Sequence, residues 1–585
     1  MSTAPVSSSA LPHLELLERL ARSGLLEDCQ PPIWLPSMGT PSPRSAVATI
    51  SGGMSIGGHV FKLRVKLPSA LSLYLPEVIV ESETPRLELP HLLGERRLCF
   101  EAGANLLDRR EPWAILRESI LYARKMLEEM LAGNRAREFV QEAVAYWRSL
   151  AEESIDCVVA ASEHPHRTMA LFGGGRLCAV ADDPSRYVQS LPGRSAAGLW
   201  QKSAIYLPLD PAAVDSSFTP GKLKTPDGLR TYIRALPEED RRALSLLLTS
   251  CEGQEEFLVL GLRRPHGERA LLGARLVGIQ GGHPLEHAHA QAWVEPIDLL
   301  RRDHAYLAPR GGAGTELQGR RVLLAGCGAV GGYLALALAR AGVGGLSLVD
   351  PDSFELENTY RHVCGMAWSD HPKVLGLKAE IERAIPYISV NAHEQRIEDL
   401  LTQNPSMLRE HDLIISALGH PTFELELNEW IWSQSAHPPA LFAWLEPLGL
   451  GGHVLLTHAG GAEGPVRGCL ECLHHRPIEG GALKNRAAFA KADAIYTRDT
   501  LGCGSRYLPF ADLDAQRTAE LAARLALRAL RREVTESPLL SWKGERQPFE
   551  AAGYSVTERY AADPGQLEAQ RLSYIRDDCP VCARG

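Results

Sequence analysis

Three groups of residues in this chain have types and spacings that can do chemistry. The first is Leu324-Ala-Gly326-Cys-Gly328-Ala-Val-Gly331, followed after a helix-length segment by Leu348-Val-Asp350-Pro-Asp352, then by Asn358 and Arg361. A strand, a glycine turn and a helix N-terminus present backbone N–H groups and a helix dipole to a phosphate chain. A carboxylate ending the next strand suits a ribose hydroxyl. A dinucleotide-binding dehydrogenase is the plain alternative, but it has no evident need for an Asn and an Arg just beyond the acidic residue; that pair suggests ATP. The second group is Cys469-Leu-Glu-Cys472 with Cys579-Pro-Val-Cys582, two C-x-x-C pairs with the ligand spacing of a closed four-thiolate zinc site. Two disulfides are the competing reading, and with no secretion signal in view reduced thiols are the expectation.

The third group is two single thiols. Cys503 lies among small residues in Thr500-Leu-Gly502-Cys503-Gly504-Ser505, in a loop before a helical run from Gln516 to Arg532. Cys99 sits in the apolar run Leu98-Cys99-Phe100, after Pro90-His91 and ahead of Trp113. Cys29, Cys157, Cys178, Cys251 and Cys364 read as small buried hydrophobes, and Cys327 as a packing residue inside the glycine turn.

The elements that must position these groups follow from pattern. Val60-Phe-Lys-Leu-Arg-Val-Lys-Leu67 alternates apolar and polar residues and predicts a strand, with a second extended segment after Pro68-Ser-Ala, up to Val80. An amphipathic helix is predicted from Ala114 to Leu131, an apolar strand at Asp412–Ile415, a helix at Glu238–Ser250 and a strand at Glu255–Leu262. Residues 150–300 otherwise yield no motif with chemistry; His283, His287 and His289 read as a surface or turn cluster, because Ile297 and Leu300 occupy the positions where a metalloprotease pattern would need Ser and Asp. Pro309-Arg-Gly-Gly-Ala-Gly314 is the clearest linker.

With 585 residues, three or four domains are expected. The net charge of −9 and the scattered Lys and Arg exclude the basic footprint of a nucleic-acid binder. The N-terminus lacks a basic segment followed by an apolar run, and the best apolar stretch, Tyr333 to Val349, contains Arg340. A cytoplasmic protein without membrane partners is the expectation.

Residues 300–585 resemble the ThiF/MoeB/ubiquitin-activating family, which adenylates the C-terminal carboxylate of a ubiquitin-like protein. The resemblance implies a Rossmann-like α/β fold using ATP and Mg²⁺. Gly326, Gly328, Gly331 and Asp350 would lie around the nucleotide with Asp352 nearby, Asn358 and Arg361 on the triphosphate, and Lys373 as phosphate lysine with Lys378 as competitor. MoeB-like relatives carry a zinc tetrad ending near the chain terminus, and in ubiquitin-activating relatives a loop cysteine in the region of Cys503 takes the acyl group as a thioester. One departure concerns the metal: relatives carry a magnesium-binding Asp after the fourth strand, whereas this chain reads Ser416-Ala-Leu-Gly419-His420, so Asp350, Asp352 or ATP and water would hold the ion.

Residues 10–150 resemble ubiquitin-conjugating enzymes. The landmarks are a Pro-rich strand end, the His turn Pro90-His91, Gly94, Cys99, Trp113 and a helix, with Glu138-Phe139 and Tyr146-Trp147 suiting a terminal helix. The resemblance implies a thioester on Cys99; the Asn that supports the oxyanion in relatives has no clear counterpart. The expected architecture is an α+β conjugating-like domain at 10–150, a connecting domain at 151–308 and a ThiF-type adenylation domain at 309–585.

That order is similar to the bacterial fusion enzymes of type II CBASS antiphage operons. The resemblance implies that the C-terminus of a cGAS/DncV-like nucleotidyltransferase, or of a ubiquitin-like protein, passes through Cys503 and Cys99 to target amines. It also implies a homodimer, with Arg301 or Arg302 reaching across. A sulfur-carrier adenylyltransferase like MoeB, and a non-catalytic scaffold built on a degenerate adenylation fold, are the competing functions.

Overall fold

The computed structural model describes residues 11–35, 42–84, 89–93, 95–99, 108–191, 195–249, 253–434, 437–457, 467–476, 483–499 and 506–583. The chain forms two compact units, one of Met1–Tyr187 with Ala196–Arg301, the other of Val188–Ser195 with Arg302–Gly585.

The first unit opens with the helix Leu11–Arg22 and an antiparallel meander, Ile33–Trp34, Ala46–Ile56, His59–Pro68 and Glu77–Thr84, extended by the short strands Arg97–Leu98 and Leu92–Leu93. Alternation does what the pleat requires: Phe61, Leu63, Val65 and Leu67 are fully buried while Lys62 and Arg64 face out. The helix Pro112–Ala132 starts on a proline, whose missing N–H costs nothing in a first turn, and lays Leu116, Ile120, Ala123, Leu127 and Met130 against the sheet. Cys99 follows the last strand of this layer.

Residues 153–301, where the sequence predicts only a structured connector, close into a seven-stranded barrel. Its interior is filled by Ile155, Cys157, Tyr206, Val259 and Leu299. The helices Arg135–Gln141 and Ala143–Leu150 pack with Phe139 and Trp147 on the outside of this barrel, where the Trp147 indole N–H donates to Gly273 O at 2.6 Å. Packing therefore groups 135–150 with the barrel strands, and the compact units part at Arg301/Arg302.

The second unit is built on a seven-stranded sheet in the order Ser389–His393, Gly345–Val349, Arg321–Ala325, Leu413–Ser416, Ala440–Leu445, Gly451–Thr457, Leu539–Lys543. The first five strands are parallel; Gly451–Thr457 runs antiparallel to them and pairs antiparallel with Leu539–Lys543, which points the same way as the first five. Strand order reverses between Arg321–Ala325 and Leu413–Ser416, which opens a crevice at their carboxyl ends. The helices Ala329–Arg340 and Asp512–Leu530 cover one face and meet through Ala335 and Ala339 against Ala515, Ala519, Ala522 and Ala526, small side chains that let the two backbones come close. The stretch Pro309–Gly314 is not a free linker: the helix His304–Arg310 runs through Pro309, and the Gly314 N–H donates to Ala341 O at 3.0 Å. Its Gly-rich composition announced flexibility, but tertiary hydrogen bonds fix it.

Candidate active site

The crevice at the switch point is built by three glycines with three different jobs. Gly326 has φ +89°, and a Cβ there would lie 2.6 Å from Ala417 O on the neighbouring strand's loop. A Cβ on Gly331 would lie 1.8 Å from Gly326 O, so this glycine packs the helix onto the turn. Gly328 is the N-cap of Ala329–Arg340 and faces open space, with nothing within 4 Å of a Cβ position. That opening, at a helix N-terminus, is where a phosphate chain can approach.

Asp350 ends the second strand and is buried. Its carboxylate accepts the Cys327 N–H at 2.7 Å and the Asp352 N–H at 2.8 Å, so it is also the post to which the glycine turn is tied. Burial pushes the Asp350 carboxyl up, and Lys373 pulls it back down. Lys373 Nζ lies 2.9 Å from Asp352 Oδ2, with its side chain only 13 % exposed. Lys378 turns away, donating to Val390 O at 2.7 Å on an outer strand. Of the two lysines it is Lys373 that stands beside the acidic pair.

Asn358 and Arg361 share the short helix Leu356–Arg361, where Asn358 Oδ1 accepts the Glu355 N–H at 3.1 Å. The Arg361 guanidinium lies over the rings of Phe510 and Tyr507, at 5.5 and 6.0 Å from their centroids. Cys503 lies outside the described residues. The two-residue strands before and after its loop pair, Arg498 with Tyr507 and Asp499 with Arg506.

Two residues at this crevice escaped the sequence reading. His362 is buried, receives the Cys364 N–H on Nδ1 at 3.0 Å and donates from Nε2 to Cys327 O at 2.6 Å, gripping the glycine turn from the side opposite Asp350. Burial lowers its pKa, which keeps the ring neutral and the tautomer fixed. Its only sequence signal was its place directly after Arg361. Glu424, in the first turn of Pro421–Ser433, is turned inward and accepts the Ser416 hydroxyl at 2.8 Å. Burial raises it to about 7 against the opposing pull of Ser416 and the N–H groups of Leu418 and Gly419. Nothing in the sequence distinguishes it from an ordinary solvated N-terminal glutamate.

Gly419 has φ +64° and open space around its Cβ position, so no carboxylate stands there. Glu424 is engaged with the loop beneath. Asp352, 64 % exposed at the crevice, is the carboxylate here that would hold a magnesium ion together with phosphate oxygens and water.

The four cysteines of the two C-x-x-C pairs converge in a buried cluster, their sulfurs all within 4.8 Å of one another. Cys469 Sγ lies 3.7 Å from Cys579 Sγ, and Cys472 Sγ 3.4 Å from Cys582 Sγ. A tetrahedron of Zn–S bonds has S···S edges of ~3.8 Å, close to these separations and far from a disulfide. The donor set fits zinc. Cys157, Cys327 and Cys364 are buried packing residues, Cys29 and Cys178 are partly exposed, and Cys251 lies outside the described residues.

Cys99 belongs to the first unit. Its N–H donates to His91 O at 3.0 Å, and His91 itself is held in the left-handed region, φ +58°. Glu142 and Glu138 clamp the His91 ring on Nδ1 and, at 3.3 Å, on Nε2; Glu142 also accepts the His91 N–H at 2.8 Å. These carboxylates raise the His91 pKa, with Glu142 the larger cause. The helices carrying them thus brace the turn behind Cys99.

Residues 306–498 match the ThiF family. The second unit carries a ThiF-family adenylyltransferase fold. The chain is 31 % identical over 241 residues to the "ATP-dependent ubiquitin transferase-like protein Cap2" of Pseudomonas aeruginosa, 40 % of each chain. It is 26 % identical over 317 residues to the protein of that name from Vibrio cholerae, 49 % of each. It is 30 % identical over 113 residues to the molybdopterin-synthase adenylyltransferase of Escherichia coli, 19 % of this chain and 45 % of that protein. The chain thus spans less than half the length of the Cap2 relatives it matches.

Proposed function

We propose that the second unit adenylates the C-terminal carboxylate of a protein, and that the chain then carries this C-terminus as a thioester to a target amine in antiviral defence. The carboxylate oxygen attacks the α-phosphorus of ATP and pyrophosphate leaves. Backbone N–H groups at the Gly328 turn, with the Asn358, Arg361 and Lys373 side chains, would hold the phosphates, and Asp350 the ribose. A thiolate then attacks the acyl carbonyl, releasing AMP, and an amine finally displaces the thiol to form an amide. Cys503 is the proposed first thiol and Cys99 the second, in a conjugating-like domain over 10–150 joined by a connector over 151–308 to an adenylation domain over 309–585. The protein passed on is proposed to be a cGAS/DncV-like nucleotidyltransferase or a ubiquitin-like protein. The zinc held by Cys469, Cys472, Cys579 and Cys582 is structural.

The observation that best supports this reading is the crevice itself: an open glycine at a helix N-terminus, flanked by Asp350, Asp352, Lys373 and a helix bearing Asn358 and Arg361. The relay is tested by incubating the full chain with ATP, Mg²⁺ and a cGAS/DncV-like nucleotidyltransferase, then resolving adducts with and without reducing agent. Cys503→Ala should form adenylate and no thioester. Cys99→Ala should retain one thiol-sensitive adduct and lose amide conjugates. Normal conjugation by Cys503→Ala would remove that thiol from the relay, and normal conjugation by Cys99→Ala would overturn the reading of the first unit.

A further inference from the structure

Beside Cys99 the first unit opens a cleft of ≈ 350 Å³, lined by Arg44, Lys66, Tyr74, Glu77, Arg97 and Leu98. Among the described lining residues its charge is lopsided, with three cations around one carboxylate. Glu77 is already committed, facing Lys66 across the strand pair and accepting from Arg97 at 2.7 Å. Glu95 reaches Lys66 at 3.4 Å but is 82 % exposed, so solvent screens it. Arg44 meets no carboxylate among the described residues; its guanidinium carbon lies 4.9 Å from the Tyr74 ring centroid, a cation–π contact that leaves its N–H donors for a ligand. Leu98 and Tyr74 give the cleft apolar walls, where a charge-assisted hydrogen bond is stronger than at open surface.

A thioester on Cys99 has two neighbours to accommodate, the peptide chain it carries and the amine that attacks it. A lysine ammonium entering this cleft would meet like charge, which is costly at an interface. The acceptor is better served near His91, where Glu138 and Glu142 converge. We propose that the cationic cleft receives the tail of the protein carried on Cys99 and selects a tail with an acidic side chain a few residues before the terminal carboxyl. Arg44 and Lys66 bind that carboxylate. The inference rests on Cys99 bearing the thioester.

The test loads Cys99 without ATP, so that the adenylation unit plays no part. Full-length protein is given two biotinylated peptide phenyl thioesters, Gly-Ala-Glu-Ala-Gly and its Glu-to-Lys counterpart. The Cys99 thiolate attacks the thioester carbonyl, thiophenolate leaves, and intact mass reads the adduct against a Cys99→Ala control. The acidic peptide should load about tenfold faster at low salt, with the preference shrinking as salt rises. Arg44→Glu combined with Lys66→Glu should abolish or invert the ratio. Unfolded chain would load both peptides alike, so the far-ultraviolet circular dichroism of the variant is matched to the wild type first, and inversion of the ratio is the outcome that unfolding cannot mimic. Equal loading of both peptides by the wild type would overturn the selection while leaving Cys99 as the thioester residue. No Cys99 adduct from either peptide would overturn that reading, and this inference with it.

Discussion

Asp350, Cys327 and His362 form a chain of hydrogen bonds that holds the glycine turn from two sides, so the opening at Gly328 is fixed by the fold itself. In the proposed function Lys373 completes it. Replacing Lys373 by Ala should lower adenylation about tenfold or more through lost charge stabilisation, whereas Lys378→Ala, which loses a bond to Val390 O, should stay near wild type in the same assay. Glu424 carries a pH signature. Its unfolded-state carboxyl loses a proton near 4.5 and its folded-state carboxyl near 7, so between these values the folded protein binds the extra proton and stability falls as pH rises. Glu424→Gln cannot ionise. Its melting temperature relative to wild type should therefore climb between about pH 5 and about pH 8, and a pH-independent difference by scanning calorimetry would contradict the assignment. Gly326 and Gly331 were readable in the sequence because a Cβ at either would collide with backbone, whereas Gly328 keeps its opening clear. Glu424 was not, because its inward turn depends on Ser416 and two backbone N–H groups brought together only by the fold.

At the scale of elements, what was legible was periodic. The strand His59–Pro68, the helix Pro112–Ala132 and the strand Glu255–Leu262 fall where alternation and amphipathic spacing put them. The closed barrel was invisible, because closure depends on the pairing of Glu153–Val158 with both Gln291–Arg301 and Arg176–Ala181, distant in sequence. The C-x-x-C pairs were readable as a set although 110 residues separate partners such as Cys469 and Cys579. They join the segment after the strand Gly451–Thr457 to the C-terminal tail. One zinc per chain is expected by elemental analysis, and Cys579→Ser should lose the metal and make the tail at least about tenfold more sensitive to protease through local opening. A metal-free preparation that stays equally resistant would contradict a structural role.

At the scale of the molecule, the proposed relay requires that a carboxylate activated in the unit with the ThiF-family fold be handed to Cys99 in the other. The proposed function carries with it a homodimer, for which light scattering should give twice the chain mass of 63.9 kDa. A monomer at working concentration would count against Arg301 or Arg302 reaching a partner's nucleotide. The central claim is that the crevice at the switch point makes an acyl-adenylate, and ATP–pyrophosphate exchange measures that directly. With a cGAS/DncV-like nucleotidyltransferase as carboxylate donor, the wild type and Cys503→Ala should exchange label into ATP, and Arg361→Ala should fall by about a hundredfold or more. Exchange by Arg361→Ala at the wild-type rate would contradict the account.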